Sequence, residues 1–239
     1  VNDVLRKVLA FFSDDGEFSP ANINGLVGWY DASDVSTITE SSNLVSAMGD
    51  KSGNLNDLSQ LVGANQPLTN QGTQNGRNFI RFDGLSKNLS RSTFTNGTIS
   101  QPHWVFMAID TANTVTATRN FIDSANATNR ATVYQVTSSR TLGMYVTQSL
   151  NSHVMPAEGT WVIISAKFDG ANSEQYLNGA SGGAGDPGTS DFIGLTLGAR
   201  YDEAQSPDFD FGELIIAEGD QSGNRLEIES YLTERWGIV

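Results

Sequence analysis

Apolar positions in this chain recur in short runs, and no single long period organises them. Apolar or alternating runs fall at 26–31, 44–49, 77–83, 103–110, 119–123, 131–137, 141–147, 160–168, 173–178, 192–199 and 209–218. Between them lie turn dipeptides: Asn-Gly at 24–25, 75–76, 96–97 and 178–179, and Asp-Gly at 15–16, 83–84 and 169–170. Such pairs tolerate positive φ and are the strongest short hairpin signals. Many short strands at regular spacing predict an all-β chain, a sandwich or barrel, without a βαβ rhythm.

Two segments carry a helical period instead. Asn2 to Phe12 places Val4, Leu5, Val8, Leu9 and Phe12 on one face. A helix that short is marginal alone in water, so the stripe is expected to anchor on something. Ser222 to Trp236 places Ile228, Tyr231, Leu232 and Trp236 on one face, with Gly237 where a left-handed C-cap belongs. Residues 13–24 are polar, hold Gly and Pro, and read as a linker. Residues 179–190, with five glycines in twelve, read as a surface loop. The domain reading is therefore an N-terminal helical arm and linker at 1–24 and a sandwich at 25–239.

Composition narrows the chemistry. The chain of 239 residues has no cysteine, which excludes a disulfide framework, a thiolate metal site and a cysteine nucleophile. Net charge is −13 and the 14 basic residues are scattered, so neither nucleic acid nor an anionic membrane is an expected partner. No apolar run approaches the length of a membrane helix, and the N-terminal stretch is too short for a signal-peptide core. From Arg200 to Val239 ten acids face three arginines. Within that stretch Asp202, Glu203, Asp208 and Asp210 are the candidate oxygen ligands for Ca²⁺, although their spacing matches no calcium loop. The commoner reading of such acids is a solvated loop.

Three stretches carry a resemblance. They are Leu26 to Asp34 with Val45–Gly53 and Arg77–Leu89, then Trp161 to Gly179, then Phe209 to Gly237. In this order they resemble the concanavalin A-like lectin/glucanase superfamily. More narrowly they resemble the laminin G-like jelly-roll domains of phage virion and bacterial surface proteins. The resemblance covers about residues 25–238. It implies a two-sheet antiparallel jelly-roll sandwich with a short C-terminal helix, to which the N-terminal helical arm is added. It also implies that Trp29, Trp104, Trp161 and Trp236 pack internally and that carbohydrate is the natural ligand class.

The resemblance also raises catalysis. Glucan-cleaving relatives carry a Glu-x-Asp-x-x-Glu strand. Here the nearest string is Glu218-Gly219-Asp220-Gln221-Ser222-Gly223, which lacks the last acid. Asp220 and Ser222 read as helix N-caps instead. The two histidines are His103, on the rim of an apolar strand, and His153, in a polar loop; neither sits in a triad or metal pattern. The expectation is thus no catalytic residue and no enzyme. The chain reads as a virion structural, decoration or adhesion protein, made in a host cytoplasm. Its expected partners are other virion proteins or its own copies, through the arm, and a surface glycan. The alternatives are a carbohydrate-active enzyme of the same fold, or a domain of a secreted bacterial adhesin at the cell surface.

Overall fold

The computed structural model describes residues 18–111, 117–136 and 139–239. The arm residues Val4, Leu5, Val8, Leu9 and Phe12 lie outside the described residues. The strands in chain order begin with β1 (Leu26–Asp31), β2 (Ile38–Ser41), β3 (Leu44–Met48), β4 (Leu58–Ser59), β5 (Thr73–Gln74) and β6 (Arg77–Asn78). There follow β7 (Ile80–Asp83), β8 (Leu89–Arg91), β9 (His103–Thr111), β10 (Arg119–Asp123), β11 (Thr132–Gln135) and β12 (Thr141–Tyr145). The rest are β13 (Ser149–Val154), β14 (Thr160–Phe168), β15 (Ser173–Leu177), β16 (Ala180–Gly185), β17 (Leu195–Leu197) and β18 (Asp208–Glu218), before helix α1 (Arg225–Trp236).

They form two large antiparallel sheets. One runs β1-β18-β9-β14-β15-β16, with β7 also on β18. The other runs β13-β12-β11-β10-β17-β8-β4-β3-β2. The all-β sandwich with a short C-terminal helix is as expected. Side chains of alternate residues meet between the sheets, including Ile80, Phe82, Val105, Met107, Val133, Met144, Ile164, Phe209, Leu214 and Ile216. Phe82 stacks on Phe209 with centroids 4.7 Å apart.

A second core lies on the other side of the first sheet. There Trp104, Phe106, Ala108, Ile163, Ile215 and Ala217 meet Ile228, Leu232 and Trp236 of α1. Strand β18 is consequently apolar on both faces, with Phe209, Phe211, Leu214 and Ile216 inward and Ile215 and Ala217 toward the helix. The helix ends as its sequence predicts: Gly237 has φ 61° and its N–H donates to the Thr233 carbonyl. It starts later than expected, at Arg225. Asp220 and Ser222 do not cap it; the Ser222 N–H and hydroxyl both donate to Asp220 in a local turn.

Several expectations are corrected. Trp161 is only half-buried, stacked parallel to Trp236 at 5.3 Å. Part of the supposed linker is packed, because Ile23 is buried in the second core and Phe18 meets Tyr231 edge-on at 5.6 Å. The glycine-rich segment is not a loop over 180–185 but strand β16, entered through a turn in which Asn178 and Gly179 both have positive φ. Its glycines have a packing reason. A Cβ on Gly185 would lie 2.5 Å from Leu150 Cδ1, and one on Gly182 would lie 2.4 Å from Ser152 Cβ. Strands β16 and β13 are the end strands of their sheets, and the missing side chains let these two edges close together.

Candidate functional site

The nine-stranded sheet turns one face to the core and leaves the other open. Along β11, Val133 points inward while Thr132 and Tyr134 point out; along β12, Leu142 and Met144 point inward and Tyr145 out. With Asn120 of β10 and Ser149 and Asn151 of β13, these outward residues line a groove of about 380 Å³. Arg130, Arg200 and Gln205 from flanking loops complete its wall. A few polar groups among aromatic rings in a concave space is the usual make-up of a small-ligand site.

Gly143 makes the groove floor. It pairs directly with Tyr134 on one side and Asn151 on the other. Across it the Tyr134 hydroxyl donates to Asn151 Oδ1 at 2.9 Å. A Cβ at this position would stand 2.4 Å from Tyr134 Cζ and 2.6 Å from Asn151 Oδ1. Gly143→Ala should therefore push the ring off the floor and cost about 1–3 kcal/mol, the range for overpacking. The check is the urea midpoint; an unchanged midpoint would show that the floor yields freely.

Asp123 organises the groove end. It is fully buried, yet surrounded by donors. Arg130 Nη2 and Nε approach it at 2.6 and 3.2 Å, the Thr132 hydroxyl at 2.7 Å, and the backbone N–H groups of Ser124 and Tyr201 at 2.8 and 3.2 Å. This fixes the Arg130 guanidinium in place, 4.6 Å from the Tyr145 ring centroid and 5.2 Å from that of Tyr201. Arg200 also lies over Tyr201, at 5.5 Å, and is paired with Asp202. Burial pushes the Tyr134 hydroxyl up, which favours the protonated form that donates to Asn151.

The acids named from sequence are dispersed by the fold. Asp202 is held by Arg200, Glu203 accepts from Asn65 Nδ2 at 3.3 Å, and Asp210 is bound by both arms of Arg81. Asp208 stands opposite Asp83 in the β7–β18 pairing. Among the described residues no group of three or more His, Cys, Asp or Glu side chains could hold a metal ion. Glu218 accepts from the Ser100 N–H at 3.1 Å at the end of β18. His153 is on strand β13, not in a loop. His103 is fully buried, not on a rim, between Phe168 and Phe192 at 4.9 and 5.4 Å.

One carboxylate pair escaped the sequence reading. Asp110 and Asp210 face each other in register across β9 and β18. Burial, then the Asp210 charge, pushes Asp110 up to about 6, while Arg81 clasps Asp210. A carboxyl group that holds its proton more tightly, beside a second carboxyl group, is an ingredient of acid–base work. They lie on the helix-bearing side of the first sheet, away from the groove.

No protein-family model and no curated protein sequence matches the chain. Solved structures do. Trypanosoma rangeli sialidase in complex with the inhibitor DANA superposes with a TM-score of 0.62 at 11% identity, over 99% of this chain and 39% of that one. The same enzyme with sialic acid gives 0.60 at 11%, over 90% and 34%. An arabinofuranosidase complexed with arabinofuranosyl-α-1,2-xylobiose gives 0.61 at 13%, over 81% and 51%. At these identities the likeness is one of fold, and this chain spans a third to a half of each neighbour. It nevertheless corrects the expectation of a non-enzyme. These neighbours sharing the sandwich are glycosidases, so the incomplete string at Glu218 is no ground for excluding catalysis.

Proposed function

We propose that this chain is the glycan-contacting β-sandwich of a carbohydrate-active enzyme, of the concanavalin A-like type, with the groove over β10–β13 as the seat of the sugar. The observation that carries the reading is the groove itself: tyrosine faces, amide groups and an immobilised arginine on the open face of a sheet. Sugars offer apolar ring faces to stack on aromatic side chains and hydroxyls to pair with amides. The glycosidase neighbours support the enzyme setting, whereas adhesion on a virion rests on residue pattern and resemblance alone.

The test is a panel of oligosaccharides, read by calorimetry for binding and by release of reducing ends for cleavage. Tyr145→Ala is expected to weaken binding about tenfold, on the order of 1.4 kcal/mol, with little change in Tm. Neither binding nor cleavage across the panel would overturn the reading.

A further inference from the structure

The hydrogen bonds already made inside the groove leave a surplus of donors. Arg130 spends Nε and Nη2 on Asp123 and Thr132. Among the described residues, its Nη1 has no acceptor, although the side chain lines the groove. Arg200 likewise spends Nε and Nη2 on Asp202, and among the described residues its Nη1 has no acceptor. Asn151 accepts the Tyr134 hydroxyl on Oδ1, and among the described residues its Nδ2 makes no bond. Asp123, which balances Arg130, is fully buried, whereas the Arg130 side chain keeps 15% of its surface exposed and lines the groove. Among the described residues, those lining the groove include two arginines and no acid, in a chain whose net charge is −13.

We propose, building on the glycan reading above, that this groove selects acidic sugars: a glycan residue bearing a carboxylate, bound by the free guanidinium edge of Arg130 with Asn151 Nδ2 beside it. A charge-assisted bond to a guanidinium is stronger than a neutral one, and this guanidinium is pre-organised by Asp123 and by the Tyr145 ring. A neutral sugar can satisfy those donors only through hydroxyls, which are weaker acceptors than a carboxylate.

The experiment compares trisaccharides of galacturonate, glucuronate and mannuronate with their carboxyl-reduced, neutral counterparts, by calorimetry at 50 and 300 mM NaCl. At least one acidic trisaccharide is expected to bind ten times more tightly than its reduced form, and to lose several-fold affinity at the higher salt. Arg130→Gln should erase the difference between the two forms. Because that change also strips Asp123 of its partner, Asn151→Asp is made in parallel. It sets a negative charge in the groove without touching Asp123, and should erase the preference with an unchanged Tm. Equal binding of acidic and reduced sugars would overturn this inference and leave the glycan reading standing. A sulfated neutral trisaccharide bound better than any uronate would overturn the carboxylate assignment. No binding by any sugar, acidic or neutral, would remove both readings together.

Discussion

Replacing Glu213 by alanine is expected to cost roughly 3–5 kcal/mol, the range for removing one partner of a buried ion pair. Glu213 projects from β18 toward α1 and has no exposed surface. Trp29 Nε1 and the Tyr231 hydroxyl donate to its Oε1 at 2.6 and 2.8 Å. Trp236 Nε1 donates to Oε2 at 3.0 Å, and Arg235 Nε lies 3.0 Å from the same oxygen. Arg235 also reaches Asp31, which Lys51 approaches at 3.0 Å. Burial, and then the charge of Asp31, pushes the Glu213 carboxyl up. Burial works the same way on Asp31, but the hydrogen bond from Ser33 and the charges of Arg235 and Lys51 outweigh it and hold that carboxyl below its ordinary range. Alanine would leave two indole N–H groups, a phenol and half of a guanidinium facing a small void, and would unpin α1 from the sheet. Urea unfolding gives the number. A loss under 1 kcal/mol would mean that water replaces the carboxylate without cost and that apolar contacts alone seat the helix.

The second large effect is a dependence on acid. His103 is walled in by two phenylalanine rings, and burial brings its pKa down to about 4 despite the Ser100 carbonyl beside Nδ1. In the unfolded chain the same imidazole titrates near its ordinary value of about 6.5. Between those values the unfolded state holds a proton that the folded state refuses. Stability must therefore fall as pH drops from about 6.5 to about 4, by up to roughly 3 kcal/mol, and level off below. Asp110 acts in the opposite sense: its raised pKa of about 6 means that the folded state binds the proton first. Its contribution therefore returns stability as pH falls through 6. Asp110 is displaced by less than His103, so its share is the smaller one. His103→Leu keeps an apolar side chain between the rings and removes the first term. The variant should then gain on the parent in Tm as pH goes from 7 to 4.5. Parallel Tm profiles for the two proteins would show that His103 protonates without leaving its pocket.

The long strands were legible because burial on both faces leaves an unbroken apolar run. Thr160–Phe168 matches its expected limits, and His103–Thr111 and Asp208–Glu218 each differ by one residue. The same run concealed Glu213, since a single acid among Leu and Ile reads as an outward-facing residue until a helix is known to cover that face. Strands β13 and β16 were missed for the converse reason. Ala180–Gly185 has no apolar alternation because its glycines make room for Ser152 and Leu150 of β13, and Ser149–Val154 is an edge strand of mostly polar residues. The groove was missed as well. Its residues come from four strands and the loops around them, and each one alone reads in the sequence as an ordinary residue of a strand or loop. The signal that could have found it is Gly143, a glycine inside a strand and flanked in sequence by Leu142 and Met144.

The position of α1 has a practical consequence. The helix blankets the outer surface of one sheet, and the chain reaches this side at both of its described ends, with Phe18 against Tyr231 and Val239 three residues past Trp236. The groove opens on the opposite side of the sandwich. An affinity tag, a fluorescent reporter or a surface tether joined after Val239 thereby starts a full two sheets from the groove. Immobilised sensors and fused enzymes built this way should present the groove outward, free of the support.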